Sequence, residues 1–181
     1  FLYMIMVVKF SIFMYLFNNL KEFFTKSRRL LIGPQTTVSP TIRPTAFYAY
    51  FSYEENLNPH HALVFDIVKT NYNAGYSPFT GVFTVPMSGV YGFTYTIRMA
   101  CSRSNSVGSF HIIRNSEIEG SIFFTETGCE QGTRTTTVII HADSGDKVFI
   151  RTSTTYPPDG RLLSDDNGRS SFAGWLIFSD Q

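Results

Sequence analysis

Between Val90 and Met99 every second residue is large and apolar: Tyr91, Phe93, Tyr95, Ile97 and Met99 alternate with Val, Gly, Thr, Thr and Arg. Successive side chains of a strand point to opposite faces, whereas a helix brings together residues three and four apart. A stretch with this period can bury its apolar set only as a strand with one face on a core. No other segment of the 181 residues restricts the fold as tightly.

Similar short runs fill the chain from Ala46 onward: Ala46–Ser52, Ala62–Asp66, Gly81–Val85, Ser109–Arg114, Glu117–Thr125, Thr135–Ala142, Lys147–Thr154 and Ser171–Phe178, separated by Gly, Pro, Asn and Asp clusters. With 18 Phe, 10 Tyr and only 16% charged residues, the composition suits pleated, half-buried surfaces. About nine or ten closely spaced strands predict an all-β sandwich or barrel. The final run, SFAGWLIF, is apolar on both faces and predicts a strand deep in its sheet and covered on each side. Glycines in Asp143-Ser144-Gly145-Asp146 and Pro86-Met87-Ser88-Gly89 predict hairpin-type turns.

Three segments are expected. Residues 1–32 are apolar, then basic; residues 33–45, GPQTTVSPTIRPT with its prolines and threonines, form an extended linker; residues 46–181 form the folded domain. The first segment opens on Phe1 and is broken by Lys9, and reads as a secretory signal or a short single-pass anchor. Lys26-Ser27-Arg28-Arg29 is a basic cluster, either a processing site or a solvated run. No Gly-X-Y repeat is present.

Residues 1–44 carry six basic and one acidic side chain, a net +5, and residues 45–181 carry nine and thirteen, a net −4. An acidic domain argues against a nucleic-acid footprint. Cys101 and Cys129 have no zinc-type spacing and are compatible with one disulfide or two separate thiols. The histidines His60, His61, His111 and His141 lie in no nucleophile motif, and adjacent His60 and His61 point opposite ways in extended chain. No phosphate-cradling glycine loop or dinucleotide fingerprint occurs, so the chain is not expected to be an enzyme.

Phe65, Asn71, Tyr76, Phe83, Gly89, Tyr91, Phe93 and Tyr95 follow one another at the intervals of the signature of the complement C1q globular domain, and the closing Phe172-Ala173-Gly174-Trp175 resembles that family's last strand. Phe65 and Phe83 read as core wedges, Asn71 as a turn residue and Gly89 as the strand entry. The resemblance implies a ten-stranded jelly roll of the tumour-necrosis-factor-like type, assembled as a homotrimer or heterotrimer and secreted or displayed outside the cell. A membrane would be met only through the N-terminal segment.

Family members often hold calcium near the trimer apex. Here Gly132 falls about where an aspartate would be expected, leaving Glu126 and Glu130 as the nearby oxygen donors. Asp165, Asp166 and Asn167 form a second acidic loop that reads as a ligand site for a cation or a sugar hydroxyl, or as a solvated turn. The function implied is recognition of microbial carbohydrate or lipopolysaccharide in innate immunity. A cytokine-like or organiser-like ligand for a protein receptor, or a secreted matrix component, are the other readings.

Overall fold

The computed structural model describes residues 22, 44–100, 105–127 and 131–180. The chain separates into two units, Phe1–Thr41 and Ile42–Gln181, and the fold below is that of the second. The expected signal or anchor, the basic cluster, most of the linker, and Cys101, Cys129 and Glu130 lie outside the described residues.

Among the described residues eleven strands follow in chain order: β1 (Ala46–Tyr50), β2 (Glu55–Asn56), β3 (Ile67–Tyr72), β4 (Phe83–Thr84), β5 (Gly89–Ala100), β6 (Asn105–Arg114), β7 (Glu117–Thr127), β8 (Gly132–Ala142), β9 (Lys147–Thr152), β10 (Arg161–Leu162) and β11 (Ser171–Ser179). In the larger sheet β8, β5, β11, β1 and β3 lie side by side, and β10 and β2 continue beyond the far end of β5; β4, β9, β6 and β7 form the smaller sheet. All the strand pairs are antiparallel. The result is an all-β jelly-roll sandwich.

Tyr91, Phe93, Tyr95, Ile97 and Met99 all face the interior of the sandwich, and none is more than 1% exposed. Tyr91 donates to the Met87 carbonyl at 2.8 Å. Tyr95 crosses the core to donate to the Phe110 carbonyl of β6 at 2.7 Å, tying one sheet to the other. Phe83 meets Tyr91 and Phe93 edge-on, and Phe47 stacks on Tyr76 and Phe83 at 4.8 Å. Burial lifts the Tyr76 and Tyr95 phenols well above their ordinary value, so both stay neutral donors.

Three expectations are corrected. Ala62–Asp66 is not a strand; apart from a bridge from Ala62 to Arg151, pairing begins at Ile67, where the chain meets β1. Asn71 is accordingly a strand residue opposite Phe47, although its amide closes the following turn by binding both the N–H and the carbonyl of Tyr76. The turns at Pro86–Gly89 and Asp143–Asp146 are not hairpins: each carries the chain from one sheet to the other, β4 to β5 and β8 to β9. They are stitched together by hydrogen bonds from Gly145 and Val85 amides to the Val85 and Asp146 carbonyls. A glycine marks a reversal but not the sheet on the far side of it.

Tyr76 also fastens the segment before β3. Its hydroxyl donates to the Phe65 carbonyl at 3.0 Å and accepts from the Phe65 amide at 3.2 Å, all within the core. Tyr76→Phe strands both backbone groups away from water. We expect a loss of about 1–3 kcal/mol, read as a lower urea midpoint; an unaltered midpoint would show that the hydroxyl is not what holds Phe65.

Candidate recognition surfaces

The outward face of the larger sheet follows directly from the strand register. Tyr72 pairs with Ala46, Ala46 with Trp175, Trp175 with Gly92 and Gly92 with Ile139. Residues directly opposite share a face, so these five form one row across β3, β1, β11, β5 and β8. Tyr72, Trp175 and Ile139 are 62%, 40% and 67% exposed. Trp175 lies over Gly92, where an added Cβ would come within 2.8 Å of the indole. A register shift between Leu176 and Phe178 leaves Ile177 and Phe178 exposed beside the row.

This corrects the reading of the last strand as covered on both sides. β11 is central in its sheet, between β5 and β1, but its outward face is bare in the single chain. Toward the other end of the face the row gives way to a hydroxyl ladder, with Thr94 to Thr137 at 3.0 Å and Thr96 to Thr135 at 2.8 Å.

The expected ligand loop is tied up internally. Asp165 Oδ1 accepts from the Asn167 amide at 2.7 Å, the Gly168 amide at 3.2 Å and Arg98 at 2.7 Å. Those bonds, the Asn167 amide foremost and Arg98 next, hold its carboxyl below the usual carboxylate range. Asp166 pairs with Arg169. Arg98 also donates to the Gln131 side chain at 2.6 Å and to the Gly168 carbonyl. The loop therefore closes around Arg98, and Asp165 is an Asx-type turn residue before it is a ligand donor.

Of the calcium candidates, Glu126 stands in β7 opposite Ser106, and Gly132 opens β8 opposite Met99. A different trio converges elsewhere: His141, Asp143 and Asp180, all exposed, place their donor atoms within 4.8 Å of one another. His141 Nε2 is 2.8 Å from Asp180 Oδ2. That hydrogen bond first, then the charges of Asp180 and Asp143, raises the imidazole above its ordinary value. The trio sits where β8 and β11 end, an encounter that sequence separation hid.

His111 makes a hydrogen bond of 3.0 Å to Ser109 Oγ. Burial, then the positive charge of Arg151, lowers its basicity. A histidine that activates a serine is oriented and made more basic by a carboxylate behind it; here the neighbour has the opposite sign, so this pair is not built as a nucleophile and base.

The model of the C1q domain matches residues 46–177. The chain belongs to the C1q-domain family. It is 28% identical over 121 residues to mouse (Mus musculus) complement C1q tumor necrosis factor-related protein 3, covering 67% of this chain and 46% of that protein. It is 29% identical over 140 residues to one of the subunits of the human (Homo sapiens) complement C1q subcomponent, covering 75% of this chain and 51% of the other. The chain thus spans about half the length of these curated relatives. Among solved structures, the globular domain of zebrafish complement 1qA superposes with a TM-score of 0.61 at 17% identity, over 75% of this chain and 99% of that one. Eiger TNF from S. frugiperda superposes with a TM-score of 0.52 at 15% identity, over 77% and 96%. C1q-domain proteins are recognition or ligand proteins, and C1q and tumour-necrosis-factor-like domains typically form trimers.

Proposed function

We propose that this C1q-domain chain is a non-enzymatic recognition protein that works outside the cell as a trimer and binds repeated carbohydrate or lipopolysaccharide patterns on microbial surfaces. The observation that carries the reading is the exposed row of Tyr72, Trp175 and Ile139 with Ile177 and Phe178 beside it. A contiguous apolar face of this kind on a folded chain marks an association surface, and flat aromatic residues bury well between subunits. Three copies around it would multiply weak contacts to a repeated ligand into useful avidity. Among the described residues no helix is long and apolar enough to cross a membrane.

Light scattering on the purified chain should give a trimer mass. Trp175→Glu places a charge in the centre of the proposed contact and should shift the protein to a folded monomer, because Trp175 packs outside the sandwich, with a lower melting point only as far as association had stabilised the fold. A trimer that survives this substitution would place the contact elsewhere. Screening the trimer against microbial polysaccharides and lipopolysaccharide, with calcium and with chelator, tests the ligand class and the calcium expectation together. Binding only to a single protein receptor would replace the pattern-recognition reading with the cytokine-like one.

A further inference from the structure

The outward face of the smaller sheet carries a row of a different chemistry. Ser121 of β7 pairs with His111 of β6, and His111 with Arg151 of β9. Two residues along β6, Ser109 pairs with Phe123, and the Ser109 to His111 hydrogen bond confirms that they share the face. Phe123 meets Tyr156 edge-on at 5.2 Å, both rings exposed. At the other end Arg151 Nη1 is 3.4 Å from His60 Nε2. The face thus runs from an aromatic pair, through hydroxyl and imidazole groups, to a guanidinium.

Two features set this row apart. Among the described residues Arg98, Arg114, Arg161 and Arg169 each reach a carboxylate, whereas Arg151 reaches none and its Nε, shielded from solvent, has no acceptor. Native proteins leave few such donors unmatched. Secondly, His60 has a φ of 57°, in the left-handed region that histidine enters more readily than most side-chain-bearing residues. Its loop is pinned by the buried Thr152 hydroxyl, which donates to the Asn58 carbonyl at 2.7 Å and accepts from the His61 amide at 2.8 Å. The fold holds an imidazole beside an arginine that lacks a counter-charge, on a domain that is acidic as a whole.

We propose that this face binds an acidic saccharide, a sugar bearing a carboxylate or sulfate, with a ring face against Phe123 and Tyr156 and the anionic group at Arg151. The inference rests on the pattern-recognition reading above and gives it a location and a ligand class. An aromatic ring offers an apolar platform with defined geometry, and a guanidinium presents a planar fork of donors that matches a carboxylate or sulfate in two-point contact. Ser121 and His111, between them, offer hydrogen bonds to ring hydroxyls.

The test is a binding titration of the purified chain with polygalacturonate, dextran sulfate and uncharged dextran, comparing wild type with Arg151→Gln, Tyr156→Ala and the control Arg161→Gln, each checked by its melting curve. The first two polymers separate carboxylate from sulfate. We expect binding to one or both acidic polymers and not to dextran, a loss of roughly tenfold or more in Arg151→Gln and of roughly threefold to tenfold in Tyr156→Ala. Arg161→Gln removes an equal charge from the larger sheet and should leave affinity within about twofold, as surface charge changes remote from a contact do. An equal loss in that control would mean bulk attraction and overturn the site. Acidic-polymer binding indifferent to Arg151 and Tyr156, or binding to dextran alone, would overturn the site or its ligand class while leaving pattern recognition standing. Failure of all three polymers would overturn this proposal, and the microbial screen would then judge the broader reading separately.

Discussion

Phe93→Ala is expected to lower the stability of the domain by about 3–5 kcal/mol, the range for truncating a buried aromatic residue. Phe93 is fully buried at the centre of the larger sheet. It meets Phe83 edge-on at 5.6 Å, Tyr91 at 5.9 Å and Phe172 at 6.2 Å. The neighbours cannot collapse into the space, because Phe83 is held by Phe47 and Phe172 by Phe47 and Phe65. Denaturant titration should show a lower midpoint at unchanged slope. A midpoint equal to wild type would mean that this aromatic cluster is not the core of the folded chain.

The second large effect is expected at Gly174, where steric exclusion rather than a cavity is the cause. Gly174 sits between Phe93 and Phe47 in the paired strands. A Cβ there would fall 2.5 Å from the Phe93 ring and 2.6 Å from the Phe47 ring. Both rings are locked in the core, so Gly174→Val must displace one of them. Overpacking a filled core costs about 1–3 kcal/mol and sometimes more; with two rings blocked, we expect the upper end, measured as the fall in thermal or urea midpoint. Gly174→Ala should lose less than Gly174→Val. If both variants melt with wild type, the two rings do not meet across this strand.

Gly174 and Gly92 are related devices on opposite faces. Inside, Gly174 admits Phe93 and Phe47; outside, Gly92 admits the indole of Trp175. In each case a residue without a side chain lets an aromatic ring from the adjacent strand lie over the backbone. The inner pairing belongs to stability and the outer one to the proposed association surface.

The sequence by itself determined the strand at Val90–Met99, the inward direction of its odd-numbered residues and the family to which the chain belongs. Those follow from local facts, since a period of two admits one backbone conformation and the aromatic spacing repeats a known signature. Only the tertiary structure decided which strands are neighbours. Side-chain alternation says which residues share a face but not what lies across the hydrogen bonds, so the turns at Gly89 and Gly145 looked like hairpins and are crossings between sheets. For the same reason the sequence left Asp165 open between a ligand donor and a solvated-turn residue, and only the structure brought Arg98, 67 residues away, into a hydrogen bond with it. Arg151, His111, Phe123 and His60 come from separated stretches of chain with no motif among them. Their meeting on one face depends on long-range strand register, and that register is set by the packing of the whole sandwich.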